Sequence, residues 1–165
     1  MINYEEILRD FQAQKVKYVL VGGMALNILG SLRNTADLDI LVELSDRNLE
    51  KIVRILKKHG YAVKQPVDPM GIANKKIRED WINNKHMKVF NFYKDDDLQE
   101  VDIIIESPVL FPEAYKHAIP FVMEGIRIPV ISIDHLIKMK KRAKRDVDLW
   151  DIKELKKIRR IRGQK

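Results

Sequence analysis

A glycine pair followed by two closely spaced aspartates constrains this chain most. Gly22-Gly23 ends an apolar segment, 17–21, that predicts a buried strand, and glycine lets the backbone turn tightly there into a helix. Thirteen residues later come Asp37 and Asp39, which lie two apart in another predicted strand and therefore point to the same face. Carboxylates this close repel each other unless a cation lies between them, and Mg²⁺ with bound phosphates suits that position. The pattern predicts a phosphate cradle beside a divalent metal site.

A third aspartate stands in a similar setting. Asp102 is a carboxylate inside an otherwise apolar segment, 101–105, and a buried carboxylate needs a partner. Three carboxylates on neighbouring strands would hold two metal ions, one on a triphosphate and one on an attacking hydroxyl. Glu100 and Glu106 share the predicted face of Asp102. The alternative is an ion pair between Asp102 and a structural Arg or Lys.

Periodicity and turn signals predict a mixture of strands and helices. Strands are expected over 17–21, 36–42, 61–64, 87–92, 101–105, 119–123 and 126–130. Helices are expected over 4–14, from Gly22-Gly23 as far as Leu32, from Ser45 to Gly60, from Asp68 through Ala73, Ile77 and Trp81, and over 111–117, 133–144 and 147–160. An acidic turn, 95–97, joins the fourth and fifth strands.

The order of these elements predicts the fold class. We expect an α/β (α+β) fold with a mixed, partly antiparallel sheet flanked by helices. No repeat or linker interrupts the chain, so a single domain, 1–165, is expected, with its core over 17–130 and a C-terminal helix pair over 133–160.

Composition and charge narrow the class of protein. The 165 residues include no cysteine, which excludes disulfides and thiolate metal sites, and the four histidines show no zinc spacing. No apolar run approaches membrane-spanning length, so we expect a cytoplasmic protein without membrane contact. The net charge of +7 is concentrated in 138–165, which carries 13 bases and 4 acids. That stretch predicts either a surface for RNA or an acidic protein, or a solvated helix pair.

The motifs together resemble one superfamily. They are Gly22-Gly23, Arg33-x-Thr35-x-Asp37-x-Asp39, the later strand aspartate Asp102, and a C-terminal stretch with Lys140 and Arg145-x-x-Asp148-x-x-Asp151. Over residues 18–155 the chain is similar to the nucleotidyltransferase superfamily, whose fold is shared with DNA polymerase beta. It most resembles small stand-alone bacterial and archaeal members. These include minimal nucleotidyltransferases and the toxin of the abortive-infection type IV toxin–antitoxin system.

The resemblance implies roles for the predicted strand and turn residues. Gly22-Gly23 would hold the triphosphate of a nucleoside triphosphate (NTP) substrate. Asp37, Asp39 and Asp102 would be the catalytic ligands of Mg²⁺, in a two-ion site. Many members have Gly-Ser at the turn, and their serine contacts a phosphate. This chain has glycine at position 23, which leaves only backbone donors at that point.

The resemblance also implies roles for charged residues outside the strands. Lys140 would act in catalysis by contacting a phosphate or positioning the base, and Asp148 would support the nucleotide site. Helical spacing places both on the apolar sides of their helices, and the alternative is a mutual salt bridge that ties the two helices together. Arg33 would clamp a phosphate or orient Asp37, and Thr35 would shape the strand entry by local hydrogen bonding.

These expectations define a candidate reaction. The chain is expected to be a Mg²⁺-dependent nucleotidyltransferase of the EC 2.7.7 type, which moves an NMP group from an NTP to an acceptor hydroxyl. The acceptor would be tRNA or another RNA, a protein, or a small molecule such as an aminoglycoside, and a role in a toxin–antitoxin pair is open. The alternatives are a non-catalytic nucleotide-binding or partner-binding module on the same fold, and an Asp-x-Asp sugar transferase, for which the chain is short.

Overall fold

The computed structural model describes residues 4–95 and 98–163, which form a seven-stranded sheet with helices packed against it. The strands are β1 (Tyr18–Leu20), β2 (Leu38–Val42), β3 (Ala62–Val63), β4 (Val89–Lys94), β5 (Gln99–Ile104), β6 (Ile119–Met123) and β7 (Ile126–Val130). The helices are α1 (Glu5–Ala13), α2 (Gly22–Leu29), α3 (Asp46–Lys58), α4 (Lys75–Asn83), α5 (Phe111–Lys116), α6 (Ile133–Ala143) and α7 (Asp146–Ile161). The expected α/β class is confirmed.

The order of the strands brings the two aspartate-bearing strands together. The sheet runs β3-β4-β5-β2-β1-β7-β6 and is mixed. β2 pairs in parallel with β5 and antiparallel with β1, and β1 pairs in parallel with β7. β4 with β5 and β6 with β7 form the two predicted antiparallel pairs. β2 and β5 are therefore neighbours in the middle of the sheet, although 56 residues separate Val42 from Gln99 in the chain.

Helix α3 follows its sequence signals closely. The Ser45 side chain accepts a hydrogen bond from the backbone N–H of Asn48 at 3.3 Å, which satisfies one free donor of the first turn. The predicted inward-facing residues of α3 are all buried: Leu49, Ile52, Val53 and Leu56. Each such side chain contributes about 1.5–3 kcal/mol by leaving water, so this stripe anchors the helix on the sheet.

Helix α2 is shorter than its apolar stripe predicted. Ala25 and Leu29 are buried, as expected, but the helix ends at Leu29 and Leu32 is 97% exposed. Gly30 takes φ +122°, a value that L side chains rarely adopt, and it ends the helix. The prediction that Leu32 faces the core was wrong because glycine turns the chain out of the helix two residues earlier.

The predicted helix from Asp68 through Trp81 is two elements. Pro69–Ala73 forms a 3₁₀ helix, and α4 begins only after Asn74, whose side chain accepts the backbone N–H of Ile77 at 3.2 Å. Trp81 is buried and stacks on Phe90, but Ile77 is 42% exposed. The expected i, i+4, i+8 stripe is broken because the extended backbone of Asn74 restarts the helical register.

The C-terminal helix pair has the predicted place and length. α6 begins after Ser132, whose side chain accepts the backbone N–H of His135 at 3.3 Å, and α7 packs against α6. In the predicted acidic turn, Asp96 and Asp97 lie outside the described residues. No helix within 4–95 and 98–163 combines the length and the apolar character that crossing a membrane requires.

Candidate active site

Three carboxylates line one cavity near the middle of the sheet. Asp39 on β2 is the direct register partner of Asp102 on β5, so the two side chains project side by side. Asp37 lies just before β2, two residues from Asp39, and is exposed at the rim. We call these three residues the carboxylate site. The structure therefore places all three predicted metal ligands around one cavity, although their carboxylate oxygens do not all lie within 4.8 Å of one another.

The carboxylate site carries uncompensated negative charge. Burial, followed by repulsion from Asp102 and Asp37, raises the pKa of Asp39 to about 7. Burial and the charges of Asp37 and Glu100 also raise the pKa of Asp102 above its usual range. Among the described residues, no Lys, Arg or His side chain forms an ion pair with any of the three aspartates. The charge of Lys140 and the hydrogen bond from Gly23 offset only part of the rise in the pKa of Asp39, which leaves the site electrostatically suited to a cation.

The two glutamates that were predicted on the face of Asp102 each hold a cation of their own. Glu100 pairs with Lys64, and Glu106 accepts a hydrogen bond from Arg142 at 2.5 Å. The alternative of an ion pair between Asp102 and a structural Arg or Lys is therefore not found among the described residues. Asp102 instead accepts a hydrogen bond from a neutral side chain, described below, so its charge is not offset.

The glycine turn lies against the carboxylate site. Gly22 opens α2 with φ +68°, and a Cβ atom there would lie 2.0 Å from Oδ2 of Asp39. The backbone of Gly23 donates a hydrogen bond to the Asp39 carboxylate, which partly offsets the rise in its pKa. Glycine is required at position 22 because only a residue without a side chain lets the helix N-terminus approach Asp39 this closely.

A cavity of about 350 Å³ joins the glycine turn, the carboxylate site and helix α6. Its lining includes every residue predicted for the site: Gly22, Gly23, Arg33, Asp37, Asp39, Asp102, Lys140 and Asp148. The site prediction thus grouped residues that one cavity holds together. Their roles in binding and catalysis are addressed below as proposals.

Lys140 is the centre of a buried ion-pair network. It is 5% exposed, and its Nζ lies 2.5 Å from Oδ2 of Asp151 and 3.5 Å from Oδ1 of Asp148. Arg33 also pairs with Asp151, and Arg145 Nε donates to Asp148 at 2.9 Å. We call these five residues the ion-pair network. The sequence offered a pair of Lys140 with Asp148 as the alternative to a direct role, and the structure has this pair, but the closer partner is Asp151, which holds Arg33 as well.

The network changes two sequence expectations. Arg33 pairs with Asp151 and forms no ion pair with Asp37, so its predicted role in orienting Asp37 is not seen. The side chain of Thr35 forms no hydrogen bond with any described residue, so Thr35 does not shape the strand entry by local hydrogen bonding. For Asp148, burial alone would raise the pKa, but the hydrogen bonds from Arg145 hold it below its usual range.

Two positioning residues were missed. Asn91 on β4 is the register partner of Asp102, and its Nδ2 donates to Oδ1 of Asp102 at 2.5 Å and to Glu100 at 3.0 Å. The buried Tyr4 hydroxyl lies 2.7 Å from the carbonyl oxygen of Ala36 and 2.9 Å from that of Glu100, and so links the segments that hold Asp37 and Asp102. An asparagine among apolar residues of a strand was the available signal for the first.

A second group of possible metal ligands lies outside the lining of this cavity. The side chains of Glu113, His117 and His135 each place one ligand atom within 4.8 Å of the others. The histidines show no zinc spacing in the sequence, yet the rings of His117 and His135 meet edge to face at 5.6 Å between centroids. Residues 18 positions apart in the chain meet because α5 and the start of α6 are neighbours.

The fold and the carboxylate site together define the class of protein: it is a nucleotidyltransferase. Residues 4–155 match the model of the aminoglycoside-2''-adenylyltransferase family, and the chain belongs to that family. The resemblance to the nucleotidyltransferase superfamily is thereby confirmed. A comparison with curated proteins finds no match.

Solved structures share the fold at low sequence identity. The lincosamide antibiotic adenylyltransferase LnuA, with lincomycin bound, is 20% identical with a TM-score of 0.62, and the match covers 92% of this chain and 93% of LnuA. ANT(2'')-Ia in complex with adenylyl-2''-tobramycin is 14% identical with a TM-score of 0.60, over 98% and 94% of the two chains. An antigenic nucleotidyltransferase-like protein of Paracoccidioides brasiliensis is 13% identical with a TM-score of 0.52, over 92% and 75%.

Proposed function

We propose that this protein transfers an NMP group from an NTP to a hydroxyl of a small-molecule acceptor, with Mg²⁺ at the carboxylate site. The observation that carries the proposal is the set of three neighbouring carboxylates without a counter-charge in the described chain, next to a glycine turn that opens a helix. Membership of an adenylyltransferase family supports the same reaction.

The donor set suits a hard divalent cation. Asp37, Asp39 and Asp102 offer only oxygen ligands, and no cysteine exists in the chain, which favours Mg²⁺ over softer metals. The raised pKa of Asp39 supports this reading, because a bound cation would relieve the repulsion that keeps its proton on near pH 7. Bound Mg²⁺ would neutralise charge on the triphosphate and on the entering and leaving oxygens.

The nucleotide would lie between the glycine turn and helix α6. The positive dipole end of α2 favours a phosphate at Gly22-Gly23, although the N–H of Gly23 already donates to Asp39. Lys140 and Arg33 add positive charge on the opposite wall, although Asp151 offsets part of it. We assign Asp148 the role of holding Lys140 and Arg145 at the cavity wall, so that it supports the nucleotide site without touching the substrate.

Asp102 is the residue best suited to take the proton of the acceptor. Burial and the charges of Asp37 and Glu100 raise its pKa above the usual range, which makes it a stronger base than an ordinary aspartate. The acceptor oxygen forms a bond to the α-phosphorus, the bond from that phosphorus to pyrophosphate breaks, and the hydroxyl proton passes to Asp102. Asn91, which donates to Oδ1 of Asp102, fixes the orientation of the carboxylate. Most of the catalysis would come from positioning and charge stabilisation.

Family membership supports a small-molecule acceptor. ANT(2'')-Ia and LnuA are described with an adenylylated aminoglycoside and with a lincosamide. RNA, or a protein hydroxyl within a toxin–antitoxin pair, is the competing acceptor class, and the 13 bases of 138–165 are its only support. Lys140 and Arg145, two of these bases, are committed to internal ion pairs, which weakens that support.

Transfer of a labelled nucleotide tests the proposal. The purified protein would be incubated with Mg²⁺ and each α-³²P-labelled NTP, together with aminoglycosides, lincosamides or bulk tRNA. We expect a labelled small molecule and release of pyrophosphate. Asp39→Asn should lower the rate by about a thousandfold, because it removes a metal ligand and charge at the reacting centre.

The matched control is Glu79→Gln, which neutralises an exposed carboxylate on α4 away from the cavity and should leave the rate unchanged. Unfolding curves must show that both variants are folded. Transfer that survives in Asp39→Asn would contradict the metal assignment. Label on tRNA or on a protein alone would contradict the acceptor class.

A further inference from the structure

Thr35, a residue to which the reaction proposed above gives no role, lines the cavity between the glycine turn and the carboxylate site. It is the only threonine in the chain, and it lies two residues before Asp37. We propose that the Thr35 hydroxyl binds a phosphate of the nucleotide directly, in the space that a side chain at position 23 would otherwise occupy. This inference rests on the proposed function, because it assigns a further ligand of the same substrate.

The first step is the contact between Thr35 and Gly23. A Cβ atom at Gly23 would lie 2.8 Å from Oγ1 of Thr35, 2.9 Å from its Cβ and 3.1 Å from its Cγ2. Gly23 is not among the glycines with positive φ, so its backbone conformation would accept any residue. The reason for glycine at position 23 is therefore steric, and the side chain responsible is that of Thr35.

The second step is the shortage of donors at this end of the cavity. The backbone of Gly23 donates to the Asp39 carboxylate, so this N–H is not available for a phosphate. The nearby cations Arg33 and Lys140 are both held by Asp151. The Thr35 hydroxyl forms no hydrogen bond with any residue of 4–95 or 98–163, and it remains able to donate to a ligand.

The two steps together make Gly23 and Thr35 a coupled pair. The space at the start of α2 has room for a side chain from only one of the two positions. In this protein Thr35, in the loop before β2, occupies it. A hydroxyl delivered from either position would reach the same region of the cavity. The proposed role adds a donor to the backbone groups expected at position 23, because the loop supplies a hydroxyl where the helix does not.

Binding of inorganic tripolyphosphate with Mg²⁺, measured by calorimetry, tests the assignment without knowledge of the base or the acceptor. Thr35→Val keeps the branched shape and loses the hydroxyl, and we expect about tenfold weaker binding, as for one hydrogen bond to a charged group. Thr35→Ser should bind within about twofold of the wild-type protein because it keeps the hydroxyl. Ser107→Ala, which removes a hydroxyl outside the lining of this cavity, is the control and should change nothing.

A swap of the two positions gives a second, independent test. Gly23→Ser with Thr35→Gly returns a hydroxyl to the vacated space, whereas Gly23→Ala with Thr35→Gly fills the space without one. Both double variants share the looser glycine backbone at position 35, so their difference reports the hydroxyl alone. We expect the serine variant to bind the probe about tenfold more tightly than the alanine variant. Gly23→Ser alone should bind poorly, because its side chain collides with Thr35.

The outcomes separate this inference from the proposed function. Equal binding by the wild-type protein and a folded Thr35→Val variant would overturn the role of Thr35 and leave the reaction standing. Equal binding by the two double variants would overturn it as well. If the wild-type protein itself does not bind tripolyphosphate with Mg²⁺, the proposed nucleotide site fails, and the role of Thr35 fails with it.

Discussion

Two groups of aspartates line or approach the same cavity, and their surroundings are opposite. Asp39 and Asp102 of the carboxylate site have no ion-pair partner among the described residues. Asp148 and Asp151 of the ion-pair network are fully buried, yet Lys140 and arginines surround them. The comparison teaches that burial alone does not distinguish a functional acid from a structural one. The distinction lies in whether the chain provides the opposite charge.

The difference follows from the elements that carry the acids. Adjacent strands lie about 4.8 Å apart, so the register of β2 with β5 fixes Asp39 beside Asp102, and no Lys or Arg of the described residues forms an ion pair with either. The acids of α7 face α6 and the loop before β2, from which Lys140 and Arg33 can reach them. A small ion with its bound phosphates fits the first arrangement. In the second arrangement, the acids already have positively charged partners within the chain.

The largest effect on stability is expected in the ion-pair network. Asp151→Asn removes the shared partner of Lys140 and Arg33 and leaves buried positive charge uncompensated, so the free energy of unfolding should fall by about 3 kcal/mol. Asp134→Asn is the control, because Asp134 pairs with Arg159 at the surface and should cost less than about 1 kcal/mol. Urea unfolding measures both. Equal losses would contradict the structural role of Asp151.

In the absence of metal, Asp39→Asn should raise the free energy of unfolding, whereas Asp151→Asn should lower it. The folded chain holds the Asp39 proton more tightly than the unfolded chain, so stability falls as the pH rises from about 4 to about 7. Asp39→Asn removes that loss and should stabilise the protein by about 2 kcal/mol at pH 8. The difference should vanish below about pH 3, where Asp39 is protonated in both states. A destabilised Asp39→Asn variant at pH 8 would contradict the contrast between the two groups of aspartates.

A smaller effect is expected where a neutral side chain orients the carboxylate site. Asn91→Leu removes the hydrogen bond to Asp102, and Mg²⁺ should bind about tenfold more weakly, as when an outer-shell partner of a metal ligand is lost. Asn84→Ala, which removes an exposed amide that bonds Asp80, serves as the control. Calorimetric titration with Mg²⁺ measures both variants. Unchanged affinity in Asn91→Leu would show that Asp102 keeps its orientation without Asn91.

The smallest effect is the pH dependence of metal binding. Mg²⁺ must displace the proton of Asp39, whose pKa is about 7, so its affinity should fall about fivefold between pH 7 and pH 6 and level off above pH 8. In Asp39→Asn this dependence should weaken, with only the raised pKa of Asp102 remaining. A flat profile in the wild-type protein would mean that Asp39 is already ionised at pH 6.

Much of the site followed from local pattern, and the errors have identifiable causes. Asp37 and Asp39 share a face because of the two-residue strand period, and Lys140 turned inward because of the helical one. Leu32 was misplaced because Gly30 ends α2 early. The apolar stripe continues past Gly30 to Leu32, and it therefore predicted a longer helix than the structure has. Asp151 was not chosen over Asp148 because both lie on the inner face of α7, and only the position of α6 decides which one Lys140 reaches.

The sequence by itself determined the elements, the glycine turn and the identity of the three carboxylates, because these depend on periods and residue types within short segments. Only the tertiary structure decided which residues contact each other. It placed Asp102 in register with Asp39 and Asn91, gave Arg33 to Asp151, and set Thr35 against Gly23. Such contacts join segments far apart in the chain, and packing, not local pattern, fixes the ångström differences that select one partner over another.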